Sequence, residues 1–304
     1  MKAITKKVLK STQCKDGLRS NFCVVLGLQW GHEGKHKLLN KLCPDYDFSC
    51  RFNGGTQYEK TELENGDELF ILPSGIMHDT KVVSVLGNGV VVDSQNFLED
   101  IQTLSNNGIG YKNRLLISDR ANLVTAVHHK IAERISEIRG DQVWLGGEAI
   151  TQSFKPMKMG LRFSHLVDDW QEFEDKYIRV KKTSEQIYNI EIDDRTLKED
   201  LDHLKKVRDV CLKNNLVDDT VVTLNNVIKS QKKRILVEDG SSSSMDIDTG
   251  LYPFVSSYHT TTGAVCTGLG VPEEAIETTI GVFSAVSVIQ KEFLNRIKTF
   301  PTHI

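Results

Sequence analysis

Nowhere in this 304-residue sequence do apolar residues run on for the roughly 18 positions that a membrane-spanning helix needs. An excess of one charge is missing as well. The 38 Lys and Arg stand against 41 Asp and Glu, and the formal net charge of -3 supplies no electrostatic reason for a nucleic-acid or membrane partner. Proline is scarce at 6 residues, and 39% hydrophobic with 26% charged content excludes a disordered or fibrous chain. Paired cysteines are lacking too. Cys14, Cys23, Cys43, Cys50, Cys211 and Cys266 form no C-x-x-C, so they read as reduced thiols, several in core positions, and the expected compartment is the cytoplasm. The first 20 residues carry Lys2, Lys6, Lys7, Lys10 and Lys15 without the apolar stretch of a secretory signal. They read as a flexible basic tail, residues 1–20, ahead of a domain at 21–304.

What is present is an alternation of apolar runs and helical patterns. Phe22–Leu28 is short, apolar and rich in β-branched residues, as an inner strand covered on both faces should be. Glu68–Leu72, Val82–Leu86, Val90–Asp93, Arg114–Ser118 and Arg234–Val237 share strand character. A short helix with Leu38, Leu39 and Leu42 on one side is stopped by Pro44. The spacing of Val124, Val127, Ile131, Ile135 and Ile138 predicts a helix from about Asp119, capped by Ser118 or Asp119 and ended by Gly140. Another is predicted from Thr196 to Leu212, with Thr196 and Glu199 as a capping box and Leu197, Leu201, Leu204 and Val207 as its buried stripe. This order predicts an α/β fold with a mostly parallel central sheet flanked by helices. Ser241–Ser244 is the one low-complexity stretch, too short for a linker.

The first strand runs into Gln29-Trp-Gly-His-Glu-Gly-Lys-His-Lys37. Glycines let a backbone approach phosphate, unpaired N–H groups with a helix dipole favour the negative charge, and Lys35 and Lys37 add countercharge. The spacing of Gly27, Gly31 and Gly34 matches neither G-x-x-x-x-G-K-[ST] nor G-x-G-x-x-G, so a tight structural turn stands beside the P-loop-like nucleotide-binding turn as a reading. His32-Glu33-Gly-Lys-His36 also spells H-E-x-x-H, the pattern of a zinc metallopeptidase. Gly31 and Gly34 oppose the continuous helix which that chemistry requires, and no third ligand lies nearby.

Val24-Val-Leu-Gly-Leu-Gln-Trp-Gly-His-Glu-Gly-Lys-His-Lys37 resembles the V-V-L-G-x-Q-W-G-D-E-G-K-G-K signature of the adenylosuccinate synthetase family. The resemblance continues through Arg51-Phe-Asn-Gly-Gly55, Leu72-Pro-Ser-Gly-Ile76, Gly87-Asn-Gly-Val-Val-Val92 and Leu115-Leu-Ile-Ser-Asp-Arg120. It returns at Gly160-Leu-Arg162, Ile235-Leu-Val-Glu238, Asp246-Ile-Asp248, Tyr252-Pro-Phe-Val255 and Cys266-Thr-Gly-Leu-Gly-Val-Pro272, and fades after Ile280-Gly-Val282. Such a family couples IMP to L-aspartate with GTP and Mg²⁺ on the route to AMP. The resemblance therefore implies IMP, GTP and aspartate as ligands and Mg²⁺ as metal.

Carried over position by position, the resemblance implies an altered site. The family's catalytic Asp, both base and metal ligand, is His32 here, and an imidazole is a poor Mg²⁺ ligand. Its catalytic His is Lys60, its second Asn is Gln57, and the Gly whose carbonyl reaches Mg²⁺ is Glu59. Trp144 stands for a phosphate-binding Thr, Lys158 for an Arg that crosses between subunits, Ser241 for a Gln or Asn near the purine, and Ser256 for a Thr at the IMP site. Gly31, Glu33, Gly34, Lys35, Lys37 and Thr61 are retained. The family segments that hold aspartate and read guanine lie past the matched part. The expectation is that catalysis is lost or strongly impaired, leaving a nucleotide-binding protein or a non-catalytic partner of an intact synthetase.

A homodimer, or pairing with a full-length relative, is likewise implied, through residues 140–165. Trp144, Phe154, Met157, Met159 and Phe163 crowd that span and need either a partner or a core to cover them.

Overall fold

A computed structural model describes residues 20–55, 61–63, 65–78, 81–140 and 145–285. Its centre is a seven-stranded sheet in the order β11-β1-β10-β2-β5-β7-β9, formed by Thr278–Val282, Phe22–Gly27, Ile235–Ser242, Phe48–Arg51, Val83–Leu86, Leu115–Ser118 and Val217–Asp218. Every neighbouring pair in it is parallel. Thr61–Glu62 (β3) pairs with Glu68–Leu69 (β4), and Val91–Asp93 (β6) with Asn122–Val124 (β8), in two small sheets. Nine α-helices are described: α1 Lys35–Leu42, α2 Ser94–Asn106, α3 Ala126–Arg139, α4 Gly147–Phe154, α5 Phe163–Val167, α6 Trp170–Tyr188, α7 Asp194–Asn214, α8 Thr220–Ser230 and α9 Thr262–Leu269. None of them is long and apolar enough to cross a membrane.

All six residues of β1 are buried, as its composition requires. Phe22, Val24 and Leu26 join Val237, Leu224, Val265 and Leu269 on one face. Cys23 and Val25 join Leu39, Leu42 and Tyr46 on the other. Both faces of the strand are thus dry, and β10 and β11 flank it. The predicted inner strand and the helix that follows are both in place. Cys23, Cys43, Cys50 and Cys211 are buried free thiols, with Cys266 partly covered.

The predicted helix from Asp119 starts later, at Ala126. Asn122–Val124 pairs in register with Val91–Asp93, so that stretch spends its backbone groups on a strand. Thr125 caps the helix in a box with His128, and Gly140 ends it at φ 62°. The next predicted helix is capped not by Thr196 but by Asp193, whose carboxylate accepts from Thr196 N at 2.7 Å; Leu201, Leu204 and Val207 are buried as expected. Glu68–Leu72 is strand only to Leu69. Asp100 takes the amides of Phe70, Ile71 and Leu72 at 2.7, 2.8 and 3.2 Å, which removes them from any ladder. The strand expected at Arg234–Val237 instead runs to Ser242, placing Ser241 and Ser242 inside the fold.

Of the apolar residues at 140–165, Phe154 and Phe163 are fully buried and Met159 packs against the same core. Met157 is 45% exposed, and Trp144 lies outside the described residues. The core, not a partner, covers most of that cluster.

Candidate functional site

The carboxyl ends of β1 and β10 meet at Gly27. A side chain there is impossible: a Cβ would fall 2.0 Å from Ser242 Oγ and 2.6 Å from Lys35 Nζ. Gly31 and Gly34 turn the chain with φ of 93° and 79°, in the region glycine alone enters freely, and Gly34 caps α1. The amides of Gln29 and Gly31 converge on an anion, and that anion is internal. Glu33 Oε1 accepts from them at 2.7 and 3.1 Å and from Ser242 Oγ at 2.6 Å.

Lys35 completes the lock. Its Nζ donates to Ser241 O at 2.6 Å and lies 3.3 Å from Glu33 Oε2, with both side chains 1% exposed. Burial pushes the Glu33 carboxyl up, but the Lys35 charge and the Ser242 and amide hydrogen bonds outweigh it and leave the group below its ordinary range. The loop is therefore an anion cradle whose occupant is its own carboxylate, and its lysine points into the floor.

Next to it, Asp239 is fully buried. Its Oδ1 accepts from Asn53 Nδ2 at 2.7 Å and Ser241 N at 3.1 Å, while Oδ2 has no hydrogen-bond partner among the described residues. Burial pushes its carboxyl up to about 6, against the pull of Lys35. Asn53 leads outward to a cavity of about 960 Å³, whose walls include Arg139, Glu148, Lys155, Ser256 and His259.

The structure thus brings Gly31, Glu33, Gly34, Lys35 and Ser241 together, and places Ser256 on the cavity wall with its Oγ donated to Met245 O at 2.7 Å. His32 and Lys37 are exposed on the loop and helix. Thr61 is buried in a different network, accepting from Arg51, which pairs with Glu238 at 2.7 Å. Lys158 is exposed and is not part of the cavity lining. Gln57, Glu59, Lys60 and Trp144 lie outside the described residues. Asn53, Asp239, Ser242 and His259 were not singled out from sequence. The signal for Asp239 and Ser242 was a Glu-Asp-Gly-Ser-Ser run closing an apolar strand, where charge is rarely buried without a partner.

The zinc pattern does not form a helical pair. α1 begins at Lys35, so His32 stands in the loop and only His36 on the helix, and Glu33 is committed to the loop amides. Among the described residues no group of three His, Cys, Asp or Glu side chains could hold a metal. Nor does Mg²⁺ fit the set in view: His32 offers it an exposed nitrogen where it demands oxygen.

A seven-stranded parallel sheet flanked by helices, with a glycine loop at the end of an inner strand, defines an α/β protein with a mostly parallel central sheet. The family description "adenylosuccinate synthetase" matches residues 24–290, and the chain belongs to that family. It is similar to the adenylosuccinate synthetase of Paramecium tetraurelia, 39% identical over 280 residues, covering 90% of this chain and 63% of that protein. The Schizosaccharomyces japonicus enzyme is 37% identical over 269 residues, covering 86% and 60%. Fully ligated adenylosuccinate synthetase from Plasmodium falciparum superposes with a TM-score of 0.77 at 28% identity, over 86% of this chain and 61% of the other. The chain spans about three fifths of the length of these relatives.

Proposed function

We propose that this chain binds a purine nucleotide, IMP in the first instance, and forms adenylosuccinate poorly or not at all. The observation that carries the reading is the cavity of about 960 Å³ flanked by Arg139 and Lys155 and joined through Asn53 to the buried Asp239 on β10. Two cations at its wall suit a phosphate, and its volume lies within the span of small-molecule sites. GTP is the second ligand that family membership supports, with aspartate and Mg²⁺ the remaining family ligands.

Weak catalysis is supported by two features. His32 replaces the acid that the family resemblance assigns as base and metal ligand, and it is exposed. Lys35 and Glu33, which would face a transferring phosphoryl group, are bound to each other and to β10. Losing one such preorganised charge costs on the order of 10²–10³ in rate, and here several are displaced together. A cytoplasmic location and pairing with a second subunit through residues 140–165 belong to the same reading.

Calorimetry of the purified chain with IMP, GTP and Mg²⁺, singly and together, tests it alongside a coupled assay for adenylosuccinate. IMP heat without turnover is expected, and His32→Asp with Lys60→His does not restore the reaction. Turnover near the ordinary enzymatic range of about 1 s⁻¹ or more overturns the reading.

A further inference from the structure

His259 lies in the connection between β10 and α9, three residues after Ser256, and is the one imidazole on the wall of the large cavity among the described residues. Its side chain is 55% exposed, and Nδ1 stands 3.5 Å from Asp246 Oδ2. Asp246 is fixed. Its Oδ2 accepts from Thr260 N at 2.7 Å, and its Oδ1 from Asp248 N and Thr249 N at 3.0 Å each. Burial pushes this carboxyl up, but those amides outweigh it and keep the group below its ordinary range. The backbone of His259 is held too, since its carbonyl accepts from Asn53 Nδ2 at 2.9 Å. Nε2 stands 3.7 Å from Asp248 Oδ2, on a side chain that is 75% exposed.

A carboxylate fixed behind one ring nitrogen sets the orientation of the ring and leaves the other nitrogen for a ligand. On this wall that ligand is an anion, because Arg139 and Lys155 line the same space, with Glu148 the opposing charge. We propose that His259, oriented by Asp246, is the phosphate contact of the nucleotide cavity, donating Nε2–H to the phosphate of a nucleoside monophosphate. Asp248 is then a solvated competitor that the phosphate displaces. The assignment rests on the nucleotide reading above and adds a residue to it.

The test compares IMP with inosine, which keeps the base and sugar and lacks the phosphate. His259→Ala is expected to weaken IMP about tenfold, as loss of a charge-assisted hydrogen bond does, and to leave inosine binding unchanged. Unchanged inosine binding also shows that the cavity still folds. Asp248→Asn is expected to tighten IMP about two- to threefold, the range of an exposed ion pair. Carbethoxylation of His259 by diethyl pyrocarbonate, mapped by mass spectrometry, is expected to be suppressed by IMP and not by inosine. Equal weakening of IMP and inosine, or IMP binding that leaves His259 unprotected, overturns this assignment alone. No IMP binding by the native chain overturns the nucleotide reading, and this assignment with it.

Discussion

A carboxylate shut away from water at the end of β10 must find donors or give up its charge. Asp239 finds two donors for Oδ1 and, among the described residues, none for Oδ2, and its carboxyl is pushed up to about 6. Asp100, also pushed up to about 6 by burial, differs in having both oxygens engaged by backbone amides. The sign is the same for both. A carboxyl whose folded pKa is raised above about 3.9 contributes stability that is complete below pH 4 and is lost as pH rises through 6. Removing the charge at Asp239 relieves that loss. Asp239→Asn is therefore expected to raise Tm at pH 7.5 by about 2–4 °C per kcal/mol recovered, with on the order of 1 kcal/mol at stake, and to do little at pH 4. Asp100→Asn sets an amide N–H against backbone N–H groups and is expected to cost about 1–3 kcal/mol at either pH. Thermal unfolding of the two variants at both pH values checks the pair; an Asp239→Asn chain less stable than native at pH 7.5 refutes the account of the orphan oxygen.

At the scale of elements, α4 ends on Phe154, whose ring is fully buried and meets His128 edge-on with centroids 5.0 Å apart. Three residues on, Met157 is 45% exposed. Phe154→Ala is expected to cost about 3–5 kcal/mol in urea unfolding, while Met157→Ala stays within about 0.5 kcal/mol. Equal, small effects contradict the packing described for this segment. Spacing alone placed both residues in one apolar cluster, because spacing does not say which side of a helix end meets the core. The same limit moved the start of α3: Val124 fits the helical stripe, and only its pairing with Asp93, 31 residues away, assigns it to a strand. β1 was readable from its unbroken apolar run, and α1 and the buried stripe of α7 from their helical spacing. The glycine loop was readable as a tight turn between strand and helix. That Glu33 fills it was not, since the bond depends on Ser242, 209 residues distant.

Over the whole molecule, the remaining question is what the surface around residues 155–158 does. Phe154, Phe163 and Met159 are accounted for by the core, so of the large apolar residues described in the predicted span a partner has Met157 to engage, beside the exposed Lys158 and Arg162. Lys158 holds φ at 61°, an uncommon conformation for a residue with a side chain, and is exposed to solvent. Both facts suit a residue presented outward to a second subunit, where family resemblance has an arginine reach the neighbouring IMP site. A contact with so little apolar area belongs to the weak, transient class of interfaces. The expected outcome is a mass that rises with concentration in light scattering, in the micromolar range or above, and rises further when IMP is added, because the nucleotide phosphate attracts the incoming cation. Met157→Asp and Lys158→Glu are expected to return the chain to monomer without lowering its melting temperature by more than about 1–2 °C, since neither change touches the core. A monomeric mass at every concentration, with and without IMP, removes the interface and leaves this segment as ordinary solvated surface.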